Sequence, residues 1–379
     1  MSLPRMSALA SALALSTVLG GCTPGGNRAP EDLDLSLYSA ALIGSEAVSA
    51  EGDSEFSLLM VRPDGSFDRF ELGRSGAELE RQGDSLVLLT GRTVTRYGPD
   101  PVTERLGSFG DTGDGSLLGR EDSTTVVRAG GAGTEVVEIG ADGVTAEHSV
   151  EGRPVASGAC GTMTAVLTEE EAAGDAWRLT MFQQGRSDRL AAPIESGILE
   201  GSTGDLPCIG GRLFLTERVH PDDGVEQGIR IRAIDTVSGS VEEQLVDSAG
   251  DGFLGFGESR GAIADDTGDA LVWLDQNGTF EQVSAAEVDS DPEPVRSQVL
   301  DGDFSPDTVQ GAWLDGAEAV VVHWAESTEQ LAGGSPVPQL EFVDLADPAS
   351  STRLTVSEEL SGFTFRGENA AVVDAVRLP

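Results

Sequence analysis

The 379-residue chain carries 65 acidic side chains against 24 basic ones, giving a formal net charge of −41 and a pI near 4.1. It contains no lysine, so its cations are arginines and three histidines. A surface this acidic repels nucleic acid and anionic lipid headgroups alike, which excludes nucleic-acid partners and means any membrane attachment must come from something other than charge.

The first element is a leader. Residues 1–21 hold one charge, Arg5, and then an apolar run from Ala8 to Leu19. That run is shorter than the roughly 20 residues needed to span a bilayer, but it suits the h-region of an export signal, about 7–15 residues long. It ends Leu19-Gly20-Gly21-Cys22, which resembles the bacterial lipobox in all four positions. The resemblance is confined to the leader. It implies that the Cys22 thiol receives a diacylglycerol, that cleavage makes Cys22 the new N-terminus, and that two acyl chains hold the protein on the extracytoplasmic face of the cell membrane. Two chains matter because one gives marginal, reversible binding, each buried methylene contributing about 0.8 kcal/mol. The competing reading is a plain secretory signal with a cysteine there by chance. "TPGGNRAP" then reads as a flexible tether over residues 22–35, leaving 36–379 as the folded domain.

With Cys22 assigned to lipid, Cys160 and Cys208 remain. An even pair in an oxidising compartment reads first as a disulfide, against free buried thiols or a reactive cysteine. The acid excess itself has two readings, adaptation to high salt or a compositional bias on an ordinary solvated surface, and composition does not separate them.

Past the tether, short β-rich runs alternate with Gly, Asp, Pro and Asn clusters, with no long amphipathic helix and no second apolar span. This is the texture of an all-β fold. Candidate helices such as "TEEEAAGD" from Thr168 lack an apolar stripe. A period is visible: "GDTGDGSLLGRED" from Gly110 and "DSAGDGFLGFGES" from Asp247 match, and "CGTMTAVL" and "CIGGRLFL" both place Leu seven positions after Cys, at Leu167 and Leu215. These spacings divide into units of roughly 40–50 residues, the size of propeller blades. Turn signals at "RPDGS", "YGPDP", "GADG", "QQGRS", "TVSGS", "DQNGT" and "ADPAS" predict a single β-propeller of seven blades, each about four antiparallel strands with the turn between its outer strands. Cys160 and Cys208 then fall at equivalent places in neighbouring inner strands. The C-terminal "SGFTFRGENAAVVDAVRL" reads as inner strand, and is expected to close the ring by pairing with N-terminal strands around Phe56 to Leu72. Closure removes exposed sheet edges.

Two segments carry a family resemblance. "GAWLDGAEAVVV", Gly311 to Val322, resembles the Ala-Trp-x-x-Asp-Gly repeat of TolB-type propellers, with one residue fewer between Trp313 and Asp315. "RAIDTVSGSVEEQ", Arg232 to Gln244, is similar to repeats of quinoprotein-type and surface-layer propellers. Each covers one blade; together they imply the fold and transfer no active site. The alternative all-β form is stacked sandwiches.

Candidate chemistry is sparse. His148, His220 and His323 lie in different blades without metal-spaced companions, and His323 in "VVVHW" reads as a strand-face or core residue. Aspartate clusters at Asp111, Asp247, Asp265 and Asp301 offer alternating carboxylates of the kind calcium takes. None reproduces the twelve-residue loop with its closing Glu, and Asp-Gly is ordinary turn chemistry, so no metal or cofactor is predicted. The sialidase Ser-x-Asp-x-Gly-x-x-Trp box, the Gly-x-Ser-x-Gly elbow and a vicinal cysteine pair are missing from the sequence. The favoured reading is a binding or scaffolding module holding an envelope protein, peptide or glycan. Its recognition loops would be "HPDDGVEQ", with His220, Asp222 and Asp223, and the segment from Asp289 to Asp307, with Asp289, Asp291 and Asp307. The competing class is a carbohydrate-active hydrolase or lyase with an acidic site at the channel mouth; a third is a structural protein without a ligand.

Overall fold

The computed structural model describes residues 30–379 apart from 48–53, 75, 92, 100–102, 109–114, 121–122, 132, 141–142, 170–175, 184–185, 190–193, 196–203, 220–227, 247–262, 265–268, 275–278, 287–294, 299–308, 316–317, 326–336, 346, 348–350 and 357–369. Apart from one 3-10 turn at Leu35–Leu37, every described element is a strand. Short β-branched and aromatic runs broken by Gly, Asp and Pro dictate this: the runs suit a pleated surface and the breakers supply the reversals.

The described strands form seven sheets. The first is built on the C-terminal strand Ala370–Arg377, followed outward by Ala40–Ala47, Ser54–Val61 and Phe67–Gly73. The second runs Ala77–Gln82, Ser85–Thr90, Thr93–Tyr97 and Thr103–Ser108; the third Gly115–Arg120, Ser123–Gly130, Gly133–Gly140 and Gly143–Val150. The fourth has Arg153–Cys160, Met163–Glu169, Ala176–Gln183 and Arg186–Arg189, with Gly204–Asp205 added parallel to its first strand and Ile194–Glu195 added to its third. The fifth runs Cys208–Ile209, Arg212–Val219, Gly228–Asp235 and Val241–Val246; the sixth Ile263–Ala264, Ala270–Leu274, Thr279–Ser284 and Val295–Gln298; the seventh Val309–Asp315, Glu318–Ala325, Val337–Asp344 and Thr352–Thr355. Consecutive antiparallel meanders of this kind are the architecture of a β-propeller.

Three expectations change. The C-terminal strand pairs with Ala40–Ala47, from Ala40↔Arg377 to Glu46↔Ala370, while the stretch from Phe56 to Leu72 supplies the two outer strands of that sheet. "DQNGT" joins the second and third strands of the sixth sheet, not its outer pair, because the short Ile263–Ala264 strand precedes Ala270–Leu274. Packing also begins before residue 36: Leu33 and Leu35, assigned to the tether, are buried. The other turn signals lie between outer strand pairs as expected.

Apolar layers separate neighbouring sheets. Ile43 and Met60 meet Leu79 and Leu88 between the first and second; Val87 and Val94 meet Val126 and Ile139 between the second and third. Val136 meets Phe182 between the third and fourth, and Leu167 meets Leu215 between the fourth and fifth. Phe214 meets Trp273, Phe280 meets Val321, and finally Trp313 and Val322 meet Leu42 and Leu59, returning to the first sheet. Each large side chain withdrawn from water contributes about 1.5–3 kcal/mol, whereas an exposed ion pair contributes about 0–1. The apolar layers therefore hold the sheets together, and polar contacts set their alignment.

The junction between the last and first sheets can be tested at a turn. Gly65 sits at φ +82 between Ser54–Val61 and Phe67–Gly73, and a Cβ there would lie 2.1 Å from the Thr355 carbonyl oxygen of the seventh sheet. Gly83 has φ +57 but nothing within 4 Å of an added Cβ. Both alanine variants acquire backbone strain, about 1 kcal/mol, but only Gly65→Ala also overpacks a junction, adding about 1–3 kcal/mol. Urea denaturation should show Gly65→Ala clearly less stable than Gly83→Ala; equal values would mean the two sheets do not meet there.

Candidate functional site

The first strands end on one side of the propeller, at Gln82, Arg120, Cys160, Ile209, Asp315 and Arg377; we call this the lower end. There, long polar side chains reach from one sheet to the next. Gln82 Nε2 donates to Thr124 Oγ1 (2.8 Å) and Arg120 donates to Thr164 Oγ1 (2.8 Å). Arg212 donates to the Ala285 carbonyl, and Glu318 accepts from both Arg377 (2.6 Å) and Arg81 (3.1 Å). At the fourth–fifth junction the same position is taken by a disulfide, Cys160–Cys208, with Cα atoms 5.2 Å apart. Deeper in, carboxylates stitch first strands together: Asp374 Oδ2 accepts from Leu79 N (2.6 Å) and Glu78 Oε2 from Leu117 N (2.7 Å). The Ser157 carbonyl accepts from Leu206 N.

Of the residues singled out from sequence, the cysteines are brought together as predicted. His220, Asp222, Asp223, Asp289, Asp291 and Asp307 lie outside the described residues, as do Cys22 and the aspartates Asp111, Asp247, Asp265 and Asp301. The flanking strands still locate the connections. Arg212–Val219, which precedes residues 220–227 in the sequence, ends at the upper end. The segment Asp289 to Asp307 is not one loop: Val295–Gln298 pairs with Thr279–Ser284 and divides it. Thr279–Ser284 ends at the lower end and Val295–Gln298 at the upper.

Two buried polar clusters were not foreseen. Glu341, fully buried, accepts from the Ser351 hydroxyl and from Arg353 (3.2 Å), and His323 Nε2 lies 3.2 Å from its Oε2. His323 is thus buried in its strand, as its apolar surroundings suggested. The Ser351 proton goes to the carboxylate and not to the imidazole, so this trio does not assemble a serine nucleophile. It clamps three strands of one sheet. The second cluster places Glu217 against Arg232 (3.4 Å) and Arg230 (3.9 Å), with Glu243 pairing with both arginines (3.1 and 3.2 Å). His148 stacks, tilted, 4.9 Å from Phe182 across the third–fourth junction. Among the described residues no group of three or more His, Cys, Asp or Glu could hold a metal ion.

These carboxylates act oppositely on stability. Burial alone would raise the Glu341 carboxyl, but the neighbouring His323, the Ser351 hydroxyl and the Arg353 charge outweigh it and hold it below its ordinary value. A depressed carboxylate stabilises the fold above the unfolded-state value, about 4.3, and loses that contribution as pH falls through the folded value. Glu217 is raised, chiefly by burial, with Arg232 and Arg230 opposing; its contribution is present at low pH and lost as pH rises. Glu341→Gln should therefore flatten the acid limb of the Tm–pH curve and Glu217→Gln should not; an unchanged acid limb in Glu341→Gln would contradict the clamp.

No family profile and no curated protein matches this sequence. Solved structures with similar overall shape include AztD from Citrobacter koseri, 12% identical with a TM-score of 0.43 over 90% of this chain and 98% of that one. Another is the apocarotenoid oxygenase of Synechocystis, 8% identical, TM-score 0.49, over 91% and 93%. A third is PorZ, a surface component of the type-IX secretion system of Porphyromonas gingivalis, 13% identical, TM-score 0.45, matched over 84% of this chain but 39% of its own length. No residue or role is carried over from them.

Proposed function

We propose that this protein is a lipid-anchored β-propeller on the extracytoplasmic face of the cell membrane, where it serves as a binding or scaffolding module for an envelope protein, peptide or glycan. In this reading the seven sheets are seven blades and the C-terminal strand closes the ring. The observation that carries the location is the Cys160–Cys208 disulfide joining neighbouring sheets, since such bonds persist in oxidising compartments; it agrees with the export leader ending at Cys22. The binding role is supported by the division of labour in the fold. The polar side chains at the lower end link sheets to one another, while the strands that precede His220, Asp222 and Asp223, and Asp307, in the sequence, Arg212–Val219 and Val295–Gln298, both end at the upper end.

Crosslinking in intact cells followed by pull-down tests the role, with Cys22→Ala as the unanchored control. Recovery of one defined envelope component with the anchored form, reduced by deleting residues 299–308 or by neutralising Asp222 and Asp223, is the expected result. Recovery of nothing specific, together with turnover of a glycan by the purified protein, would replace this reading with an enzymatic one.

A further inference from the structure

The geometry points to a fixed orientation on the membrane: the propeller stands with its lower end toward the lipid surface and its upper end turned away. This rests on the proposed acylation of Cys22, and it follows from where the chain leaves the ring.

Pro30 to Ser39 is packed beneath the first two sheets. The Tyr97 hydroxyl donates to the Pro30 carbonyl (3.1 Å), and Leu33, Leu35 and Tyr38 are buried in the layer that also contains Leu86 and Tyr97. Tyr38 donates to Asp68 (2.6 Å), which also accepts from Arg62. Ser39 then bonds Val61 and Leu378, leading directly into the lower end of Ala40–Ala47. Tyr97 itself pairs with Leu86, just after the Gly83–Asp84 turn, so Pro30 is pinned at the lower end.

Only eight residue steps separate Pro30 from Cys22. Even fully extended, eight steps reach no more than about 29 Å. The eight-residue strands, such as Ser123–Gly130, make the flank about 26 Å tall, and each strand crossed on the way outward adds about 5 Å. A tether starting at the lower end therefore cannot pass the rim, climb the flank and still deliver Cys22 to a bilayer lying against the upper end. The short tether permits the lower end to approach lipid and excludes the inverted arrangement. It also turns the upper ends of Arg212–Val219 and Val295–Gln298 toward the aqueous space.

The absence of lysine makes the test direct. Asp84→Lys and Thr162→Lys place an amine at the lower end of two sheets, and Gly131→Lys and Glu151→Lys place one at the upper end; all four positions are exposed. Gly131 has nothing within 4 Å of an added Cβ. With Cys160 and Cys208 bonded, Cys22 is the single free thiol of a leaderless chain, so it can be coupled to maleimide-bearing lipid in phosphatidylcholine vesicles. An amine-reactive donor dye is then read by energy transfer to a headgroup acceptor, and the parent chain, labelled at its α-amine, gives the background. We expect both lower-end dyes to lie nearer the bilayer than both upper-end dyes, by a height difference approaching about 26 Å. Upper-end dyes as near or nearer would overturn the orientation. Repeating the comparison with membrane-purified protein separates the two claims: if the coupled protein shows the expected order but the cell-made protein carries no lipid, the orientation encoded by the tether stands and the natural anchoring falls.

Discussion

Removing residues 370–379 should leave a chain without a cooperative unfolding transition. The strand Ala370–Arg377 is the first strand of the first sheet, paired along Ala40–Ala47. The segment 370–379 buries Val372, Ala375, Val376 and Leu378, and its loss opens the layers on both sides of the first sheet. Val372, Val376 and Leu378 together contribute about 5–9 kcal/mol at about 1.5–3 each, comparable to the whole stability of a typical domain, about 5–15 kcal/mol. The polar losses point the same way. Leu79 N would lose the Asp374 carboxylate, Trp313 Nε1 would lose the Val373 carbonyl (3.1 Å), and Glu318 would lose Arg377. Circular dichroism with a urea titration checks this, and a synthetic peptide of the deleted residues should restore the transition. A truncated chain that melts like the full-length protein would show that the propeller does not depend on this strand.

The second large effect is at the disulfide. Cys160 and Cys208 are 48 positions apart, and cross-linking a loop of that length lowers the entropy of the unfolded chain enough to stabilise the fold by about 4 kcal/mol. Cys160→Ser should lower the urea midpoint accordingly, and chemical reduction of the wild type should reproduce the double serine variant. The effect should not spread evenly. The fourth–fifth junction keeps its apolar layer of Leu167, Leu179, Leu213 and Leu215, so the native fold should persist in the variant with a lower midpoint. Two titratable thiols at Cys160 and Cys208 in the unreduced protein, with no change of midpoint on reduction, would contradict the bond.

Much of this architecture was legible in the chain. Turn chemistry located the outer hairpins, since Asp-Gly, Ser-Gly and Gly-Pro positions reverse the chain whatever surrounds them. The Cys160–Cys208 spacing put both thiols on the first strands of adjacent sheets but not at equivalent points: Cys160 closes its turn against Met163, whereas in the next sheet Ile209, one residue past Cys208, closes it against Arg212. The misreadings have physical causes. "AALIGSEA" gives little β signal of its own because alanine, glycine and serine dominate it; its burial comes from neighbours on both sides. "DQNGT" is a sound turn, but local chemistry does not say which pair of strands it joins. The buried acids Glu217, Glu281, Glu341 and Asp374 were invisible for a more general reason. A charged residue alternating with apolar ones usually marks a solvent face, as in "LEFVD". In a propeller the middle strands are covered on both faces, so alternation ceases to report exposure. The partners that make burial tolerable, such as Trp273 Nε1 donating to Glu281 (2.9 Å) or Ser351 to Glu341, follow from strand pairing that no local pattern reveals.

Acylation of Cys22 is the premise shared by the proposed membrane anchoring and the proposed orientation. The most direct measurement is the mass of the N-terminal peptide of the protein recovered from the membrane fraction of the cells that make it. The account predicts a chain beginning at Cys22 with a diacylglycerol on its thiol, and loss of membrane association in Cys22→Ala. A soluble chain cleaved elsewhere, or one retaining residues 1–21 with an unmodified thiol, would contradict it.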